Sequence, residues 1–352
     1  MSAVTPVPAP APSAEAIAAA RSQSNSRRAL RWTTIISIAV MVGAFVFLGR
    51  KLFADWESVR SVPWSFEPAR LILSFALLGV YYALLVWIWC LLMRQLGQAV
   101  SFRTALPIWL GPQLGKYIPG KVWSTIGRLV LAERAGLDSI RVSVSLVIEV
   151  AIILVSGLLV AAGAIAFAGD VVIPGKPLII GMIPVGLAVV HPRFFLPLVH
   201  WVMRRLHRPD IEFQWSAWEQ YRLVLLYVVS WILYGGAFYA LIDSLHIPIG
   251  HSANTTGAFL ATLMFVLGAN ALAWTIGFLA FLTPGGLGVR EASLAFFLKQ
   301  LMPAAVATLV ALMARVWVTV AEIVIVGAGW WIGHAAMRRA QATATAAREA
   351  AR

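Results

Sequence analysis

The chemistry of this chain is concentrated in two short segments. They are Gly115-Lys116-Tyr117-Ile118-Pro119-Gly120-Lys121-Val122-Trp123 and Leu282-Thr283-Pro284-Gly285-Gly286-Leu287-Gly288-Val289-Arg290-Glu291. Each puts a Pro-Gly break and charged side chains inside sequence otherwise apolar enough for lipid. Lipid cannot hydrogen-bond a bare backbone, so a broken helix at membrane depth is tolerated only where it is buried in protein or lines a wet cavity. Paired breaks in the two halves of a chain point to a transport site. Arg and Lys bind phosphate well. Lys116, Lys121 and Arg128 from the first segment, Arg290 from the second and Arg315 further on would therefore gather around an anionic head group. The breaks themselves are Pro119 and Gly120, and Pro284, Gly285, Gly286 and Gly288, where glycine permits the sharp turn. A half-helix starting after Gly120 would aim free N–H groups and its positive dipole end at the same phosphate.

Three carboxylates complete the constellation. Glu149 lies two turns into an apolar run, roughly 10 Å along a helix at 1.5 Å per residue. Arg315 and Glu322 share one long apolar run, and their spacing of seven puts them on one helix face. A charge at the bilayer centre costs ~2.5–3.5 kcal/mol on insertion scales, so each must face a partner, the bundle interior or water. Glu149, Glu291 and Glu322 would balance the cations when the site is empty, and one of them could carry a coupled proton. A second reading stands beside this one: the charges pair with one another and lock the bundle. Glu291, directly after Arg290, also suits a cap on the half-helix that follows.

The elements that position these residues follow from hydropathy. The 352-residue chain is 60% hydrophobic and 12% charged, too apolar for a soluble domain to hide. Apolar runs at 33–49, 71–93, 141–168, 178–191, 222–243 and 304–332 approach or exceed the ~20 residues that span a bilayer. Residues 1–31, rich in Pro, Ala and Ser and ending in Arg27, Arg28 and Arg31, read as a disordered basic arm. The domain proper is 32–333, and 334–352 is a basic cytoplasmic tail. The stretch 50–70, with Trp56 and Trp64, suits the membrane interface, and 192–208 the inner surface.

The two broken regions, 104–128 and 257–301, either cross once or return to the face they entered. If both return, most Lys and Arg residues fall on one side. If each crosses once, the Arg-rich loops at 128–141 and 193–208 change sides and the bias vanishes. The positive-inside rule selects the returning arrangement. The expected fold is thus an all-α polytopic membrane protein with about six spanning helices, two Pro-Gly-broken re-entrant hairpins and both termini cytoplasmic. Its two units, 71–93 to 141–168 and 222–243 to 304–332, form an inverted repeat with Pro119 and Pro284 in matching places.

Several function classes drop out. The net charge of +13 sits between apolar spans, where it sets orientation and meets anionic lipid; there is no nucleic-acid module. The one cysteine, Cys90, allows neither an internal disulfide nor a thiolate cluster. The six histidines form no metal-ligand pair; His200 and His207 lie among arginines. Hydrolase elbows, P-loops and zinc spacings are absent. No enzyme activity, cofactor or metal is expected, and transport would run on gradients or be passive.

The same residues carry a resemblance. Tyr117-Ile118-Pro119-Gly120-Lys121-Val122-Trp123 followed by Gly127-Arg128, and Pro284 through Ala292, resemble the two signatures of the lysylphosphatidylglycerol synthase transmembrane family, also called flippase-like proteins. The helix with Ala314-Arg315-Val316-Trp317 and Glu322 is similar to its last helix, and the likeness extends over about 30–335. The resemblance implies an inner-membrane protein that moves a lipid between leaflets: an anionic phospholipid or a polyprenyl-phosphate-linked lipid. The best-known members carry a soluble aminoacyl-transfer domain after the membrane region. This sequence ends at Arg352, so it is expected not to make lysylphosphatidylglycerol. The rival expectations are a membrane partner of a lipid synthase or glycosyltransferase, and an enzyme using Glu149 or Glu322 as base.

Overall fold

The computed structural model describes residues 64–117, 123–167, 176–205, 216–247, 256–280 and 286–350, with a sparser set between 42 and 62. Among the described residues the chain is helical throughout. Five helices are long and apolar enough to cross a membrane: Pro68–Gln95, Ser139–Ala164, Ala217–Asp243, Gly257–Leu279 and Ala304–Ala346. Their outer faces carry large apolar side chains such as Ile72, Leu73, Val316 and Trp331, the surface expected where lipid replaces water as solvent. The chain is a multi-pass membrane protein.

A short helix, α1 (Trp56–Arg60), precedes α2 (Pro68–Gln95), which starts with proline in its first turn, where the missing N–H costs nothing. Its counterpart in the second half is α8 (Ala217–Asp243). There Ser216 Oγ accepts from the Glu219 N–H and Glu219 returns a bond to the Ser216 N–H, satisfying two orphan donors at the helix start. The two helices pack together in reverse register. The Glu67 N–H donates to the Ser244 carbonyl at 2.9 Å, Arg70 pairs with Asp243, and the Tyr81 and Tyr234 rings stack with centroids 4.9 Å apart. The first helices of the two halves therefore run antiparallel, which makes the repeat an inverted one.

The first broken region consists of α3 (Phe102–Leu110), a 3-10 turn (Gly111–Tyr117) and α4 (Trp123–Arg134). The second consists of α9 (Thr256–Leu279) and α10 (Val289–Leu298). Each packs on the long helix that closes the other half. Helix α3 lies against α11 (Ala304–Ala350), with Leu110 beside Gly329 and Pro107 beside Gly333. Helix α9 lies against α5 (Ser139–Phe167), with Gly268 beside Ala164 and Thr275 beside Gly157. The halves are interlocked, and small residues at the crossings let the backbones approach.

The first arm of the second hairpin, α9, runs 24 residues. It ends inside the bundle, although its length and composition would suffice to cross a membrane. Its antiparallel register on α5 brings its end level only with the middle of that helix, and the chain then turns back. A Cβ on Gly277 would stand 2.7 Å from the Arg290 Cβ, and one on Gly286 (φ +71°) 2.6 Å from the Gly277 carbonyl oxygen. The first region closes in the same way: a Cβ on Gly115 would stand 2.9 Å from the Ser124 nitrogen. The first hairpin opens toward the end of α11 and the second toward its beginning, so they open to opposite faces.

Between the halves lie α6 (Lys176–Val190), shorter than a full span and packed on α5 through Gly186, and α7 (Pro192–Arg205). Phe194, Leu198 and Trp201 on α7 are exposed and Arg204 and Arg205 close it, as a surface helix requires. Helix α11 continues unbroken through His334 to Ala350, where Ala344 rests on the turn at Gly136. The expected arm 1–31 and most of the expected helix 33–49 fall outside the described residues.

Candidate functional site

Described residues beside the two hairpin breaks line a shared cavity. One lobe of about 430 Å³ is lined by Arg128, Arg315 and Gly286, and a smaller lobe of about 170 Å³ by Tyr81, Tyr82, Tyr234 and Glu322. Both share Gln113, Lys116, Glu149, Trp274, Phe278 and Arg290. The 3-10 turn supplies Gln113 and Lys116, α4 supplies Arg128, α5 Glu149, α10 Arg290, and α11 Arg315 and Glu322. Residues from sequence positions as far apart as 81 and 322 thus surround one polar space in an otherwise apolar bundle.

Six charged residues here are buried: Arg128, Glu149, Arg290, Glu291, Arg315 and Glu322. Each must be satisfied or held at considerable cost. Glu149 is fully engaged. Arg128 Nη1 lies 2.5 Å from its Oε2, and the Trp109 indole N–H donates to Oε1 at 3.0 Å. The Arg128 guanidinium also lies over the Trp109 and Trp89 rings, 5.0 and 5.9 Å from their centroids, as a desolvated cation prefers. Glu322 is likewise engaged. Tyr82 and Lys116 donate to its Oε1, and the Tyr117 hydroxyl donates to Oε2 at 2.7 Å.

The remaining charges are bound more loosely. Arg290 donates to the Tyr234 hydroxyl and, among the described residues, has no carboxylate within ion-pair distance. Arg315 Nε stands 3.8 Å from Glu291 Oε1, and Arg315 Nη2 is buried with no hydrogen-bond partner. Its guanidinium lies over the Tyr117 ring at 5.0 Å. Two arginines therefore face the cavity with donors not spent on carboxylates. Glu291 caps α10 by accepting from the Gly288 N–H at 2.6 Å, as the sequence suggested, and stands behind Arg315 rather than in the cavity wall.

Of the residues singled out from sequence, Lys116, Arg128, Glu149, Gly286, Arg290, Arg315 and Glu322 come together here, with Gly288 and Glu291 immediately behind. Pro119, Gly120, Lys121, Pro284 and Gly285 lie outside the described residues. Sequence reasoning missed Tyr82, Tyr117 and Trp109, which donate to the buried carboxylates, and Tyr234, whose hydroxyl accepts from Arg290. The available signal was position. Tyrosine in a spanning helix favours its ends, whereas Tyr82 and Tyr234 sit mid-helix, where a hydroxyl needs a protein partner. Among the described residues no group of His, Cys, Asp and Glu has the makings of a metal site.

Residues 34–329 match the protein family described as "Lysylphosphatidylglycerol synthase TM region", a span that takes in both hairpins and the whole cavity. No curated protein matches the sequence.

Proposed function

Because the chain belongs to the lysylphosphatidylglycerol synthase TM region family, we propose that it is a carrier that moves an anionic or polyprenyl-phosphate-linked lipid between the leaflets of the cytoplasmic membrane. The observation that supports this reading most is the pair of arginines in the cavity that the two hairpins share. Arg290 and Arg315 line one cavity; among the described residues Arg290 meets no carboxylate, and Arg315 keeps Nη2 without a hydrogen-bond partner, whereas Arg128 and Lys116 are spent on Glu149 and Glu322. A phosphate oxygen is the chemical complement of unspent guanidinium N–H groups. Hairpins that open to opposite faces are the arrangement from which alternating access to a shared site is built. The basic end of α11, with Arg338 and Arg339, is read as cytoplasmic by the positive-inside rule.

The chain is read as non-enzymatic: Glu149 and Glu322, the candidate bases, are each held in an ion pair with a cation of the bundle. The test is reconstitution in liposomes with fluorescent phosphatidylglycerol and a polyprenyl-phosphate analogue, followed by accessibility to dithionite. Wild type should move one of these faster than empty vesicles do, and Arg290→Ala and Arg315→Ala should not while still purifying as folded protein. If neither lipid moves, the carrier reading fails for these cargoes and a membrane partner of a lipid-modifying enzyme becomes the better account.

A further inference from the structure

The three buried carboxylates of the site are not equivalent. Both oxygens of Glu149 and both of Glu322 accept hydrogen bonds. Glu291 is only 2% exposed, and its Oε2 takes the Gly288 N–H, but its Oε1 has no hydrogen-bond partner. The cation nearest that oxygen is Arg315, at 3.8 Å, beyond hydrogen-bond reach. Helix α9, packed on α10, has no titratable side chain between Thr256 and Leu279. Helix α11 brings Arg315 and Glu322. On α10 itself Arg290 turns to Tyr234 of α8, and Lys116 of the 3-10 turn is held by Glu322. Arg315 is therefore, among the described residues, the cation closest to the unpartnered oxygen of Glu291, with Arg290 beside Glu291 on α10, and Arg315 is one of the two arginines facing the cavity.

From this arrangement we infer that Glu291 is the proton-carrying group of the carrier, loaded when a phosphate head group draws Arg315 away from it. The inference rests on the lipid-carrier reading above. A buried carboxylate stripped of its counter-ion is too costly to keep charged and neutralises by taking a proton. The proton comes from water onto Oε1 as Arg315 passes to the phosphate oxygen, and returns to water when the lipid leaves and Arg315 swings back. One phosphodiester monoanion and one proton bind together, so the charge of the site is unchanged. Lipid and proton then travel in the same direction, and an inward proton gradient drives the lipid from the outer to the inner leaflet.

The test uses the purified full chain in detergent with lyso-phosphatidylglycerol, whose phosphodiester holds one fixed charge across the accessible pH range. Binding is measured by titration calorimetry and proton uptake by a pH indicator in weak buffer. Wild type should take up one proton per head group bound, and its affinity should fall up to ~10-fold for each pH unit of increase, the limit for one linked proton. Glu291→Gln retains an oxygen for the Gly288 N–H, so the cap survives. It should bind without proton uptake and with an affinity flat in pH. Glu291→Ala replaces it if Glu291→Gln does not survive purification. Wild-type binding without uptake, or uptake unchanged in the variant, overturns proton carriage by Glu291 and leaves the carrier reading standing. No binding at any pH overturns both.

Discussion

The Arg128–Glu149 pair offers the sharpest test of whether the buried charges of this site hold the fold together or serve the cargo. The two residues are buried and meet at 2.5 Å, with Trp109 donating to the second carboxylate oxygen. Glu149→Leu leaves the Arg128 guanidinium buried without a counter-charge, and Arg128→Met does the reverse. Breaking a buried pair from one side costs ~3–5 kcal/mol, whereas replacing both partners with apolar groups of similar volume is often neutral or stabilising. Each single variant should therefore lower the thermal midpoint of the detergent-purified protein by roughly 6–20 °C, given ~3–5 kcal/mol and ~2–4 °C per kcal/mol in domains of a few hundred residues. The double variant should recover most of that loss. Recovery would not be complete, because the Trp109 indole N–H loses its acceptor, at about 1–3 kcal/mol. Lipid movement measured in the same preparations separates the two roles. A double variant that is stable but inactive assigns the pair to the site, and one that is stable and active assigns it to the bundle alone. Single variants within about 2 °C of wild type would refute the premise that the pair is desolvated and mutually dependent.

Three further outcomes follow from particular contacts. Gly286→Ala should sharply lower the yield of folded protein. A left-handed residue other than glycine costs ~1–2 kcal/mol, and the new Cβ would stand 2.6 Å from the Gly277 carbonyl oxygen; fluorescence size-exclusion of a tagged variant reads this directly. Tyr117→Phe should destabilise more than Tyr82→Phe in a thermal-shift series. Tyr117 is, among the described residues, the donor to Glu322 Oε2, while Oε1 keeps Lys116 when Tyr82 is lost; the larger loss is about 1.5–3 kcal/mol for a bond to a charged group. With Cys90 replaced by Ser, single cysteines at Arg103 and Lys299 should react with a membrane-impermeant thiol reagent from opposite sides of sealed vesicles. Labelling from one side would mean that the hairpins do not open to opposite faces.

Much of the architecture was legible in the residues because it depends on local composition. The cost of bare backbone and lone charge in lipid is paid wherever those groups sit, so the runs at 71–93, 141–168, 222–243 and 304–332 were readable as spanning helices. Arg128, Glu149, Arg290, Arg315 and Glu322 were readable as members of a shared interior. The returning hairpins were legible through charge bias. The 24-residue first arm of the second hairpin was not, since only its register on α5 shows that so long a helix ends midway.

The sequence by itself determined that this chain lives in a membrane, that its backbone breaks in two matching places, and that its buried charges must find partners. Only the tertiary structure decided which partners. Lys116 belongs to Glu322 and Arg128 to Glu149, Tyr82, Tyr117 and Trp109 donate to the carboxylates, the Tyr234 hydroxyl accepts from Arg290, and Arg315 stands just out of hydrogen-bond reach of Glu291. The reason is geometric. The cost of a buried charge is a property of the residue and its surroundings in the chain. Which donor reaches it within 3 Å or misses by another ångström is set by the register of helices far apart in sequence.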